Sequence, residues 1–290
     1  MRGGTGSRGY TIIEVMIFLA VSGFMFVLAA VFVSGKQATT EFQQGMNDIS
    51  TQIQQTINDV SNGFYPSTAN FTCSSTSGGL TISTLSSTQQ GQNAGQRSGI
   101  SGGGCVFLGK IMQFATGNNP SNYAVYTVAG SQFAGGATTG DVPTTFAEAQ
   151  PTVIDSLTQP HGLEYSIKIT SMKDFTPGGP SGGRDLSSIG FFGSFGQYTG
   201  GVNNELESGS QTVTVVSLIG TPAVTDSTTI GTPSMASVTS ALNARPQPDV
   251  VLCFRGAATQ YGTITIGGSA GQRLTTSMNI SGGPINGCPA

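Results

Sequence analysis

The sequence predicts an α+β protein, with one long N-terminal helix followed by a domain built on antiparallel β-sheet. Three observations carry that prediction. Residues 15–33 form a nineteen-residue apolar run interrupted only by Ser22 and Gly23. Beyond it, apolar residues recur at Phe42, Met46, Ile49, Ile53, Ile57 and Val60, at spacings of three or four, which is one face of an α-helix. After Gly63 the pattern changes to short apolar runs separated by Gly, Ser and Thr, the pattern of many short strands joined by turns.

Composition narrows the function. Charged residues are 9% of the 290 and the formal net charge is -3, so no broad basic surface is available for nucleic acid. Apolar residues are 37%, enough for a core, and the low charge is unlike that of disordered chains. The single histidine, His161, excludes a multi-histidine metal site. The high content of Gly, Ser and Thr with four cysteines reads as an extracytoplasmic protein.

The apolar run, as a helix, spans about 28 Å, close to the hydrocarbon thickness of a bilayer. A secretory signal has a shorter apolar region and a small-residue cleavage site after it, and neither fits here. Arg2 and Arg8 precede the run, while Lys36 beyond it is offset by Glu41. That asymmetry keeps the N-terminus cytoplasmic and exports the rest. Glu14 stands at the start of the run among Ile12, Ile13 and Val15. An ionisable side chain at membrane depth is costly and marks function unless it stays wet at the interface. The run itself supplies no cation to pair with it.

A short basic leader ending in Gly9, then Tyr10, Thr11, two Ile and Glu14, then the long apolar helix, resembles the prepilin signal of type IV pilins and type II secretion pseudopilins. Tyr10 stands where Phe is usual, and the membrane helix lacks the Pro of many major pilins. The resemblance implies cleavage by a prepilin peptidase between Gly9 and Tyr10, N-methylation of Tyr10, and Glu14 as the assembly acid. In that family the acid pairs with the terminal amine of a neighbouring subunit. Opposite charges in an apolar medium attract strongly and each is penalised alone, so the pair fixes one register.

The helix continues past the membrane segment. Gly63 and Pro66 supply its stop. Gly35 and Gly45 each weaken it by about 1 kcal/mol relative to Ala. From 10 to 62 it makes a rod of roughly 80 Å. The organisation is then a leader at 1–9 and a helix at 10–62, whose part 10–34 spans the membrane and polymerises and whose part 35–62 is amphipathic. A β-rich head occupies 63–290. The pilin-like layout implied by the resemblance packs the amphipathic half on the antiparallel sheet.

Within the head, strands are expected at 80–85, 105–115, 123–129, 163–172, 189–198, 211–219, 250–255, 262–266 and 274–280. Short helices are expected at 144–157 and 235–243. Gly-rich loops are expected at 86–104, 130–140 and 177–183. The stretch 250–280, with Arg255 and Gly256 after its first strand, is similar to the C-terminal strands of H-type pseudopilins and minor pilins. Cys73, Cys105, Cys253 and Cys288 include no C-x-x-C, so zinc and redox motifs are absent and disulfides are expected of an exported chain. Four cysteines allow three pairings. The local ones, Cys73–Cys105 and Cys253–Cys288, are favoured, and the second would staple the C-terminal tail as in many pilins.

Other motifs carry less. Gly104 to Ile111 nearly matches a phosphate-binding loop but lacks its Ser/Thr and is apolar in the middle, so it reads as a strand. G-x-S-x-G occurs around Ser101, Ser181 and Ser269, a product of composition, with none between a strand and a helix. His161, after Pro160, reads as a turn residue. Glu205/Glu207 and Asp174/Asp185 read as solvated acids rather than calcium ligands. Phe191, Phe192, Phe195 and Tyr198 read as a core strand rather than a binding platform.

The expectation is a non-enzymatic structural subunit with no cofactor and no metal. It is a major or minor pilin of a type IV pilus-like filament that polymerises through its N-terminal helix. Its expected partners are copies of itself and other pilins, the prepilin peptidase, an assembly ATPase and an inner-membrane platform protein. Nucleic acid is a conceivable ligand without support in the charge. Before assembly the chain sits in the cytoplasmic membrane, and afterwards in an extracellular or periplasmic filament. One alternative is a pseudopilin or minor pilin of a type II secretion or DNA-uptake system. Another is a membrane-anchored adhesin or surface enzyme that never polymerises, which would gain nothing from Glu14.

Overall fold

The computed structural model describes residues 11–62, 71–76, 79–84, 105–114, 121–131, 143, 145–175, 183–186, 188–193, 213–218, 249–257, 260–267 and 274–289. A single helix, α1, runs Ile12–Ser61. Thr11 caps it in extended conformation, its hydroxyl accepting from the Glu14 amide at 3.4 Å. At the far end the Asn62 amide returns to the Asn58 carbonyl. The rest of the described chain is antiparallel β-structure, so the protein is α+β.

The strands are β1 (Phe71–Thr76), β2 (Gly79–Thr84), β3 (Cys105–Phe114), β4 (Asn122–Ser131), β5 (Thr152–Val153), β6 (Gln159–Gly162), β7 (Lys168–Asp174), β8 (Arg184–Asp185), β9 (Ser188–Gly193), β10 (Val213–Leu218), β11 (Val250–Arg255), β12 (Tyr261–Gly267) and β13 (Thr275–Ser281). β1 and β2 make a hairpin. A six-stranded sheet has the order β10-β9-β3-β4-β5, with β6 also on β4. A five-stranded sheet has the order β13-β12-β11-β7-β8.

The helical stripe joins these sheets. Phe42, Met46, Ile49, Ile53, Ile57 and Val60 are all buried. They share one core with Met112, Phe114 and Phe191 of the six-stranded sheet and Ile169, Leu252, Phe254 and Ile264 of the five-stranded one. A second, smaller core lies around Ile111, Tyr126, Val128 and Phe192 under the turn of Phe146 and Ala149. Close approach is bought with glycine. A Cβ on Gly256 would overlap the Phe42 ring, and one on Gly262 would lie 2.7 Å from Met46 Cε. On the helix, a Cβ at Gly45 would overlap Ile167 Cδ1 and lie 3.2 Å from Tyr165 Cδ2.

Polar contacts fix the helix along its length. Gln260 donates to Thr39 Oγ1 at 3.3 Å, and Gln54 donates to Thr276 Oγ1 at 2.8 Å. Lys110 on β3 donates to Asp59 Oδ2 at 2.6 Å, with side-chain exposures of 5% and 21%. A buried lysine needs such a partner.

Several strand expectations shift. Residues 144–157 are not a helix but a turn at 145–149, the short strand β5 and a 3-10 turn at Asp155–Leu157. A reciprocal capping box does start there, between Thr145 and Glu148. Pro151 then blocks continuation, since it lacks an amide and disfavours helical conformation before it. Gln150, just before it, takes φ 50°. The strand expected at 163–172 is a turn followed by β7, because Tyr165 and Ser166 both take φ 57°. That turn delivers Ile167 to Gly45. Residues 159–162, read as a turn, form the edge strand β6, and β1 was not expected at all. The expected helix at 235–243 and the loop at 86–104 lie outside the described residues.

Gly45→Val is expected to destabilise the protein by about 1–3 kcal/mol through overpacking against Ile167, measurable by chemical denaturation. Asp59→Asn is expected to cost about 3 kcal/mol by leaving the charge of buried Lys110 uncompensated. Lys110→Met is expected to cost less, because Asp59 keeps access to water. Equal effects of the two substitutions would refute this account of the pair.

Candidate functional site: an exposed apolar helix on a buried root

α1 has two environments. Every residue from 11 to 32 is exposed, including Ile12 at 83%, Phe18 at 72% and Phe26 at 76%. The stripe from Phe42 onward is buried in the head. The helix is long and apolar enough to cross a membrane. Apolar side chains all round a helix require an apolar surrounding, either lipid or other helices.

Glu14 lies in the first turn of this segment and is exposed. Thr11-x-x-Glu14 has the spacing of a capping box, a signal the sequence reading passed over. The structure shows the half in which the Glu14 amide reaches Thr11. An acid in the first turn also faces the partial positive charge of the helix start. The only cation on α1 is Lys36, which lies over the Phe32 ring at 5.7 Å from its centroid. That is twenty-two residues away, or about 33 Å along the axis. Gly9 and Tyr10 lie outside the described residues.

Cys253, buried on β11, is disulfide-bonded to Cys288 in the C-terminal turn, with Cα atoms 5.7 Å apart. Gly287 takes φ 89°, a conformation suited to glycine, and turns the chain back towards β11. Cys73 falls on β1 and Cys105 begins β3. Their side chains lie outside what is described.

The remaining candidates resolve into structure where they are described. Gly109 and Lys110, the end of the near phosphate-loop match, sit mid-strand on β3. A Cβ on Gly109 would overlap the Phe191 carbonyl of β9, and Lys110 is committed to Asp59. Asp174 is fully buried and takes two hydrogen bonds from Arg184, at 3.3 and 2.7 Å, with Asp185 exposed beside it. Among the described residues no three His, Cys, Asp or Glu side chains cluster as metal ligands. Phe191 and Phe192 point into the two different cores. Ser101, Ser181, Ser269, Glu205, Glu207, Phe195 and Tyr198 lie outside the described residues.

His161 stands directly across from Tyr123 on the β4–β6 pair, and the rings stack at 4.9 Å. Tyr123 stacks in turn on Phe114 at 5.1 Å. Beside this stack a groove of about 290 Å³ runs between α1 and residues 161–164, lined by Asp48, Tyr123, His161 and Glu164 among others. Burial, with Asp48 second, pushes the Tyr123 phenol up to about 12. Burial lowers His161 from the ordinary histidine value. The chain matches no known protein family, no curated protein and no solved structure.

The His161 shift fixes a sign. The folded chain takes up this proton at lower pH than the unfolded chain does. Stability from this group is therefore complete above the ordinary value of 6.5 and declines as pH falls below it. His161→Gln is expected to flatten that decline between pH 7 and 5. Unfolding midpoints of both proteins across this range measure it, and parallel curves would remove His161 as the cause.

Proposed function

We propose that the chain is a pilin-like structural subunit that is anchored by α1 in the membrane and then polymerises through it. The observation that carries this reading is the division of one continuous helix into an exposed apolar half and a half rooted in a β-rich head. An anchor alone needs the first half only. A subunit that places its head at a fixed distance from a shared helical core needs both. Glu14 supports the same reading. No cation on its own helix lies near it, and a neighbouring subunit's terminal amine would supply one. In this proposal Gly9 is the last residue of the leader, Tyr10 the methylated first residue of the mature chain, and Glu14 the acid that selects the register.

The partners that follow are further copies and related subunits, a prepilin peptidase, an assembly ATPase and a platform protein in the inner membrane. The same features suit a pseudopilin or minor pilin, and subunit abundance separates these from a major pilin. The test is the mature N-terminus, read by mass spectrometry on membrane and surface fractions of wild type and Gly9→Val. The expected result is a methylated Tyr10 start in the wild type that is lost in the variant. An intact Met1, or a cut beyond the apolar run, would leave a simple anchor or a secreted protein instead.

A further inference from the structure

We infer that the groove between α1 and residues 161–164 is a binding site for an organic cation of guanidinium or ammonium type. The inference is independent of the subunit reading, because the site lies wholly within one chain. Every residue that lines this groove of about 290 Å³ is described. Asp48 and Gln52 enter its wall from α1, one helical turn apart. Tyr123 comes from β4, His161 from β6, and Glu164 from the turn after it.

The groove carries two carboxylates and no counter-charge. Asp48 and Glu164 are both exposed, and no Lys or Arg lines the groove with them. The two ion pairs among the described residues, Lys110–Asp59 and Arg184–Asp174, lie elsewhere. The groove also holds polar groups that folding has buried without partners. His161 Nε2 is buried and makes no hydrogen bond. Tyr123 is only 4% exposed, and among the described residues its hydroxyl makes no hydrogen bond. Buried polar groups are normally satisfied, so two such exceptions in one groove call for an occupant.

The chemistry of these groups selects the ligand class. Both carboxylates repel an anion. A metal ion lacks a ligand set, since among the described residues no three His, Cys, Asp or Glu side chains cluster. Water can satisfy the two buried atoms, but it leaves the negative charge unused. An organic cation meets every group present. A guanidinium has five N–H donors and an ammonium three, and both make charge-assisted bonds to carboxylates. The phenol oxygen and the imidazole nitrogen accept the remaining donors. Burial, with Asp48 second, pushes the Tyr123 phenol up to about 12, so it stays a neutral acceptor. Burial also lowers His161, which keeps the imidazole neutral at neutral pH and free to accept at Nε2 with its proton on Nδ1. Ile49 and Leu163, both buried, line the same groove and suit the alkyl stem that carries such a cation.

The test uses the full chain in non-ionic detergent at neutral pH, with nitrogen-15 in histidine. His161 is the only histidine of the chain, so its ring signals report on the groove directly. Ethylguanidinium is the probe, and ethylurea, similar in shape but neutral, is the control. The expected result is a saturable His161 shift with ethylguanidinium in the millimolar range, about what so small a ligand reaches, and none with ethylurea. Asp48→Asn and Glu164→Gln, both at exposed positions, are each expected to weaken binding about tenfold and to keep the wild-type melting temperature. A capped Gly-Arg-Gly peptide separates the sources of the cation. Tighter binding of the peptide than of ethylguanidinium assigns the site to a basic side chain of a protein, and weaker binding assigns it to a free small molecule. Equal shifts with ethylurea, a shift that does not saturate, or undiminished binding by the double variant would overturn the inference. None of these outcomes bears on the mature N-terminus by which the subunit reading is tested.

Discussion

The architecture depends on one shared surface, the stripe of six apolar residues from Phe42 to Val60. Both large sheets bury side chains against it in a single core. Burying side chains of this size is worth about 1.5–3 kcal/mol each, so the stripe contributes on the order of 10–20 kcal/mol before ordering costs offset it. Native domains have a net stability of only about 5–15 kcal/mol. The helix is therefore part of the head's core and not a stalk attached to it. The glycines at 45, 256 and 262 belong to the same constraint, since they set how near the helix lies to its neighbours.

That constraint explains why some of the structure was legible in the sequence and some was not. The stripe announces itself by its period, and α1 ends within one residue of the expected boundary. The strands β3, β4, β11, β12 and β13 were readable from β-prone runs between turn residues. Features set by contacts distant in sequence were not readable. Lys110 was recognisable as a strand residue, but its partner lies fifty-one positions away on α1. β6, QPHG, has no alternating pattern and exists because β4 offers it an edge. The φ 57° turn at Tyr165 and Ser166 uses no glycine, so nothing local marked it. Pro151 stands inside the helix expected at 144–157, a local stop that the expectation ran across, and its veto outweighed a good capping box.

The candidate site was legible in a different way. Glu14 stood out because an acid among apolar residues needs an explanation. The structure adds a modest local one, the helix start itself, alongside the larger one proposed for assembly. The two are compatible, because the capping contact uses the Glu14 backbone amide and leaves its carboxylate free to face another chain. His161, by contrast, read in the sequence only as a turn residue after Pro160. Its stacking on Tyr123 places it as part of the wall where β6 meets β4.

The disulfide between Cys253 and Cys288 has a mechanical meaning. It closes a loop of thirty-five positions that contains β12 and β13. Tension applied through the chain termini passes across the sulfur bridge and bypasses both strands. About 120 Å of contour length is thereby withheld from extension, so a head pulled from its ends would yield elsewhere first. The two strands nearest the C-terminus are thus shielded by the disulfide from being drawn out under load.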